Sequence, residues 1–182
     1  DSYFKYHNEY GGFSNDGKEY LVNVDMQKKL PTVWSHVVSN EKFGMILTEN
    51  MGGFVWNVNS RLNRITAWNN KPTENIPSEI FYIKDLDSGE NWTLNSSIDP
   101  NGNKYSIVYG FGYVEYYNIY DDMIFGVTEF IPKNDSIKIC KINIKNTRNE
   151  EKNLKLVYYI KPVLGEDEAL TNGRIFVYKQ GN

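Results

Sequence analysis

A chain of 182 residues, 40% of them hydrophobic, can bury roughly 70% of the surface its unfolded state exposes, so one sizeable core forms without staples. A net charge of −3 with no basic run excludes the electrostatic footprint of a nucleic-acid binder. No apolar stretch approaches the roughly 18 residues of a membrane span, and the amino terminus "DSYFKYHNEY" lacks the basic-then-apolar layout of a signal peptide.

Taken in chain order, shorter strands are predicted at residues 19–24 ("EYLVNV"), 34–39 ("WSHVVS"), 43–49 ("FGMILTE"), 53–58 ("GFVWNV") and 79–85 ("EIFYIKD"). The second half alternates apolar and polar residues as a half-buried antiparallel sheet requires, over 104–109, 113–120, 123–131, 136–146, 153–163 and 174–179. Turn signals separate these runs: "DPNGN", "YDD", "PKND", "NTRNEEKN" and "GEDEALTNG". Connections this short favour a meander of hairpins over crossover helices. No window sustains helical periodicity over three turns, so the expected fold is all-β, a domain of two stacked antiparallel sheets over residues 1–182. In "SIKICKINI" the apolar phase slips between Ile137 and Ile139 on one parity and Cys140, Ile142 and Ile144 on the other. The slip predicts a bulge, or a sheet covered on both faces at that end. Tyr113, Tyr116, Tyr117 and Tyr120 suit packing between sheets better than an exposed stacking ladder.

Residue types that carry chemistry are present, but nothing in their spacing assembles them. Cys140, the single cysteine, sits in an apolar run far from His7 and His36, so it reads as a small buried hydrophobe. Glycoside hydrolysis needs two carboxylates aimed at one bond, whereas Glu49, Asp85, Glu115 and Glu129 are scattered singly over strands and read as structural. "DPNGN" begins like a calcium loop at Asp99, Asn101 and Asn103, but Lys104 stands where that loop needs glycine, so it reads as a hairpin turn. Gly110 and Gly112 form only a fragment of a dinucleotide fingerprint and read as a bend. No His/Cys cluster has metal-ligand spacing. The sequons at Asn91 and Asn95 arise easily by chance in an asparagine-rich chain.

One stretch stands apart, "NVNSRLNRITAWNN" at residues 57–70. With its flank it crowds planar hydrogen-bonding groups (Asn59, Arg61, Asn63, Arg64, Asn69) beside the rings of Trp56 and Trp68, and Trp92 follows downstream. These are the ingredients of sugar recognition and equally of a well-tied loop. As loop ties, Arg61 and Arg64 would hold backbone carbonyls or an acid such as Glu49 or Asp85.

The blocks "YGGFSNDGKEY", "NEKFGMILTENMGGFVWNVNSRLNRITAWNNKP", "EIFYIKDLDSGENWT", "YGFGYVEY" and "KPVLG", in order from Tyr10 to Gly165, closely resemble the amino-terminal β-sandwich domain of glycoside hydrolase family 94, formerly glycosyltransferase family 36. That family holds cellobiose, cellodextrin and chitobiose phosphorylases, 1,2-β-oligoglucan phosphorylases and the phosphorylase-like region of cyclic β-1,2-glucan synthase. The form after Asn59 looks closer to the β-1,2-glucan branch, although Ile65 and Ala67 stand where that branch usually shows leucine and proline. The resemblance implies a large antiparallel super-sandwich like the galactose mutarotase fold, followed in the family by a helical linker and an (α/α)6 barrel. In the family the barrel carries the aspartate general acid and the phosphate-binding groups, and phosphate attacks the anomeric carbon with inversion.

No catalytic residue of that barrel maps onto this sequence, so it implies a catalytically silent piece of a longer enzyme. No cofactor is implied; inorganic phosphate would be co-substrate of the parent. The implied partners are a β-linked glucan or glucose oligosaccharide, the downstream barrel and a second copy in a homodimer. The implied location is cytoplasmic, or the cytoplasmic side of the membrane for a synthase. Trp56, Asn59, Arg61, Asn63, Arg64, Trp68 and Asn69 are the candidates for facing barrel or substrate. Two other readings stay open: a freestanding carbohydrate-binding module with Trp56, Trp68 and Trp92 as platforms, and a structural domain whose exposed apolar face docks the barrel.

Overall fold

The computed structural model describes residues 4–25, 30–68, 71, 74–96 and 104–181. Fifteen strands and one helical turn occupy them. They are β1 (Phe4–His7), β2 (Gly11–Ser14), β3 (Glu19–Asp25), β4 (Ser35–Ser39), β5 (Phe43–Thr48), β6 (Gly53–Asn57), β7 (Arg64–Thr66) and β8 (Glu79–Asp85). There follow β9 (Asn91–Thr93), β10 (Lys104–Gly110), β11 (Tyr113–Tyr120), β12 (Met123–Phe130), β13 (Ile139–Asn146), β14 (Leu154–Ile160), β15 (Pro162–Gly165) and α1 (Glu168–Thr171). One layer is a seven-stranded sheet in the order β1-β2-β3-β10-β11-β12-β13. The other is divided into a three-stranded sheet, β14-β8-β9, and a five-stranded sheet, β15-β7-β6-β5-β4. Every ladder among the described strands is antiparallel.

The expected all-β sandwich is therefore present, with its second layer split. The two parts of that layer meet through one run of chain. Lys161, between β14 and β15, donates its N–H to Ser78 O at 2.8 Å beside β8 and accepts from Ala67 N at 3.0 Å beside β7.

Alternation decides which side chains enter the core. Tyr105, Ile107 and Tyr109 of β10 share one face with Val114 and Tyr116 of β11 and Met123, Phe125 and Val127 of β12, because the registers pair Ile107 with Tyr116 and Tyr116 with Val127. Opposite them lie Met45, Leu47 and Val55 of the five-stranded sheet and Phe81, Ile83 and Trp92 of the three-stranded one, all in a single buried cluster. Tyr116 and Tyr120 serve packing, as expected, whereas Tyr117 stands 40% exposed with its hydroxyl donating to Glu115. Tyr116 is buried and donates to Thr48 O at 2.9 Å, while Tyr120 stacks on Trp92 at 4.5 Å. The "YDD" signal is a two-residue hairpin between the paired Tyr120 and Met123, and it places both Asp121 and Asp122 at positive φ, 50° and 58°. That is the conformation whose twist matches the flanking strands.

Three expectations are corrected. The pairing of Met123–Phe130 with Ile139–Asn146 runs without a shift, so the phase slip is no bulge. The sheet is not covered on both faces there either, since Ile137 precedes β13 and is 50% exposed. The even-numbered inward positions there are Lys138, Cys140 and Ile142, with Ile144 on the same parity but 42% exposed, so the inward position nearest the strand start carries a charge. Residues 174–179 form no strand, and Phe176, Val177 and Tyr178 are exposed; period-two sequence alone does not hold a strand that has no cross-strand partner among the described residues. The elements not expected, β1, β2, β7, β9 and α1, are each three or four residues long, too short to display a period. "DPNGN" falls outside the described residues apart from the described Lys104 that follows it.

Gly53 opens β6 at φ 95°, and a Cβ there would stand 2.0 Å from Ile46 O on the neighbouring strand. Gly53→Ala is expected to cost about 1–3 kcal/mol from backbone conformation alone, with more from the displaced β5 carbonyl, read as a lowered urea midpoint at unchanged slope.

Candidate functional site

The stretch that drew attention in the sequence is the excursion between β6 and β7, where Trp56 pairs with Arg64 across the hairpin. It closes on itself. Asn59 Oδ1 accepts from Arg61 N at 2.9 Å and Leu62 N at 2.8 Å, the side-chain turn that asparagine favours. Asn63 Nδ2 donates to Asn57 O at 3.0 Å, and Arg64 Nε to Ser60 O at 3.2 Å. Asn59, Asn63 and Arg64 thus spend the groups named here on the loop itself. Val58 is held at φ 62°, an outlying conformation for a β-branched residue.

What the loop turns outward is different: Val58 at 74% exposure, Leu62 at 57%, and the Arg61 side chain at 78%. Arg61 Nε lies 3.3 Å from Glu166 Oε1, so its acid is neither Glu49 nor Asp85. That pair is open to solvent and contributes little to stability. Two apolar residues and a guanidinium suit contact with another protein surface better than a set of hydroxyls.

The rings separate into two roles. Trp92 is buried at 2% exposure, stacked on Tyr120 and edge-on to Phe125 at 5.5 Å, so it is core and no platform. Trp56 lies across Gly44, where any Cβ would meet the indole, and against Phe54 at 5.2 Å. Trp68 stacks on Phe54 at 4.6 Å, with the Arg64 guanidinium 5.3 Å from one ring centroid and 5.5 Å from the other. Near-equal distances put Arg64 beside the stacked pair. Asn69 lies outside the described residues.

A second constellation went unseen in the sequence because its members are far apart. Lys138 Nζ makes ion pairs with Glu79 and, at 3.2 Å, with Glu129. Tyr158 donates to Glu79, and Cys140 Sγ lies 3.4 Å from Glu129 Oε1. All line or adjoin a largely apolar cavity of about 410 Å³ between β13 and β14. Burial raises the Glu129 carboxyl above the usual range against the pull of Lys138. Burial, and then the Glu129 charge, push the Cys140 thiol up, so that cysteine is the inert, half-buried group expected of it. A third carboxylate, Glu49, accepts from Trp34 N at 3.0 Å and Asn75 Nδ2 at 2.8 Å, and burial raises it too. Asp85 is the opposite case. Its hydrogen bond from Lys152 at 2.8 Å, with backbone N–H groups of Ser88 and Asp87, holds it well below the usual carboxylate range.

Of the carboxylates singled out in the sequence, Glu49, Asp85 and Glu129 are each bonded to the partners just named. Glu115, the fourth, accepts from Tyr117 and Thr128 on the sheet surface. Asn95, the second sequon, is fully buried with Nδ2 donating to Asn50 O at 2.9 Å, which leaves no room for a glycan in the folded state.

Residues 18–177 match the sequence model of a family described as "Glycosyl hydrolase 94, supersandwich domain". The chain belongs to this family. The glycosyl hydrolase 94 domain is 27% identical over 165 residues to the cyclic beta-(1,2)-glucan synthase NdvB of Rhizobium meliloti (strain 1021), covering 90% of this chain and 6% of that protein. It is 27% identical over 157 residues to the N,N'-diacetylchitobiose phosphorylase of Vibrio proteolyticus, covering 84% of this chain and 19% of the relative. The corresponding enzyme of Vibrio furnissii is 24% identical over the same span, with the same coverage. The supersandwich chain thus spans between 6% and 19% of the length of the curated relatives it matches.

Proposed function

We propose that this supersandwich is the non-catalytic amino-terminal domain of a β-glucan-active glycoside phosphorylase or cyclic β-1,2-glucan synthase, and that its 58–63 loop braces a downstream (α/α)6 barrel near the substrate entrance. The observation that carries this reading is the loop itself. It ties its asparagines and Arg64 inward, holds Val58 in an unfavourable conformation, and presents Val58, Leu62 and Arg61 outward. Strain of this kind is kept where the surroundings or a function require it. The relatives named as a glucan synthase and chitobiose phosphorylases support a sugar substrate for the parent. In that parent the barrel supplies the catalytic groups, inorganic phosphate is co-substrate, no cofactor is resident, and two copies associate in the cytoplasm or at the cytoplasmic face of the membrane.

The test uses the complete reading frame, supplied with inorganic phosphate and β-1,2-, β-1,3- and β-1,4-linked glucans, with glucose 1-phosphate as readout. Arg61→Ala and Leu62→Asp are expected to leave the domain's stability within about 1 kcal/mol of wild type, as exposed positions do. The same changes are expected to lower kcat/KM about tenfold or more through lost positioning. Unchanged turnover in both folded variants would remove the loop's assigned role. A freestanding carbohydrate-binding module is the alternative from another class. It is weakened by the burial of Trp92 and the packing of Trp56.

A further inference from the structure

Strand β14 ends the three-stranded sheet, so its outer edge pairs with no strand among the described residues. Every residue from Leu156 to Ile160 is aliphatic or aromatic and 40–45% exposed, on both faces of the strand. An unbroken apolar run belongs to a strand covered on both faces, as the adjacent β8 is, where Ile80 and Phe81 point opposite ways and are both buried. A long apolar edge left open invites pairing with another strand. The other sheet edges are blunted: β1, β4, β9 and β15 are five residues or fewer, and β13 exposes Lys141 and Lys145.

Residues 174–179 are the complement, a strand sequence without a ladder. Phe176, Val177 and Tyr178 stand 80–91% exposed. The start of this segment is fixed, since Asn172 N donates to Glu168 O at 2.8 Å and Arg174 N to Thr171 O at 2.9 Å, while Lys161 Nζ holds Glu168 Oε2 at 2.7 Å. The segment therefore leaves from the α1 turn beside β15 and, at that exposure, does not cover β14 of its own chain. One chain holds an unpaired strand and an unpaired edge, the two halves of a reciprocal exchange between copies.

We propose that residues 174–179 of one copy add as a strand to β14 of a second copy, and those of the second to the first, in a twofold-symmetric dimer. The added strand runs antiparallel, as every ladder among the described strands does. One of its faces covers Val157 and Tyr159, and the other lies beside Tyr158 and Ile160, which wall the cavity of about 410 Å³. The exchange uses neither Arg61 nor Leu62 and is separate from the bracing role of the 58–63 loop.

Sedimentation equilibrium of the 182-residue chain is expected to show a reversible dimer with a Kd of about 10 μM or tighter. Above that concentration the amides of 174–179 gain protection from hydrogen exchange, and a mixture of isotope-labelled and unlabelled copies gives intermolecular NOEs between the Phe176 or Tyr178 ring and β14. Phe176→Pro combined with Val177→Pro removes two successive N–H groups, one of which faces β14 in any register. Both positions are exposed, so the fold is kept while dimerisation is expected to weaken about tenfold or more. Tyr159→Lys, on the receiving edge, is expected to act in the same direction. A wild-type chain that stays monomeric at about 200 μM overturns the proposal, and so does a dimer that both variants form as readily as wild type. A monomer with protected 174–179 amides also overturns it, because the strand then lies on its own chain. None of these results touches the loop's bracing role, which is read from turnover of Arg61 and Leu62 variants of the complete protein.

Discussion

Lys138→Met is expected to destabilise the domain by about 3–5 kcal/mol, the cost of leaving buried charge without its partner. Glu79 and Glu129 are 4% and 0% exposed, and Lys138 is the cation that both of them contact. Methionine fills similar volume, so the loss is electrostatic. The sign with pH follows. Burial already raises the Glu129 carboxyl against the pull of Lys138, and without the ammonium its folded pKa moves further above the unfolded value of about 4.3. The variant's stability is then retained below that value and lost as pH rises through the raised folded value of Glu129. Urea unfolding between pH 4 and 8 reads both effects. Adding Glu79→Gln and Glu129→Gln to Lys138→Met is expected to recover part of the loss and to flatten the pH dependence. A cost under about 1 kcal/mol, or one indifferent to pH, would show that the cluster is solvated and not a buried ion triad.

Trp92→Ala carries the other large effect, about 3–5 kcal/mol for an aromatic truncated inside a packed core. Trp92 joins β9 to the seven-stranded sheet through Tyr120 and Phe125, so its removal opens a cavity where the two layers meet. The loss is read as a lowered urea midpoint, and a cost under about 1 kcal/mol would show that Trp92 is not part of a packed core.

The contrast between Trp92 and Trp68 shows where sequence reading stops. Both are tryptophans in polar surroundings, and only partners 30 or so residues away, such as Tyr120 beneath Trp92, decide which is core. Where the determinants are local, the sequence was sufficient. Strand β11 and the ends of β8 coincide with their expected limits because runs rich in aromatic and β-branched residues stop at turn residues. The ties made by Asn59 and Asn63 belong to the same class, since each reaches only a few residues along the chain. Arg61 does not, as Glu166 is 105 positions away. Lys138 was hidden for a further reason: with isoleucines on either side, the eye assigns the inward phase to them, and only the position of Glu79 and Glu129 in the fold makes the lysine the inward residue. The division of the second layer had no local signal either, because it depends on β14 and β15 pairing with different strands.

That division has a mechanical corollary. Lys161 gives its N–H to one sheet and its carbonyl to the other. The three-stranded and five-stranded sheets are therefore joined at a shared residue, and are expected to open as one cooperative unit in amide exchange. A load applied at β15 by a docked neighbour would pass through Lys161 into β14, the strand that carries Tyr158.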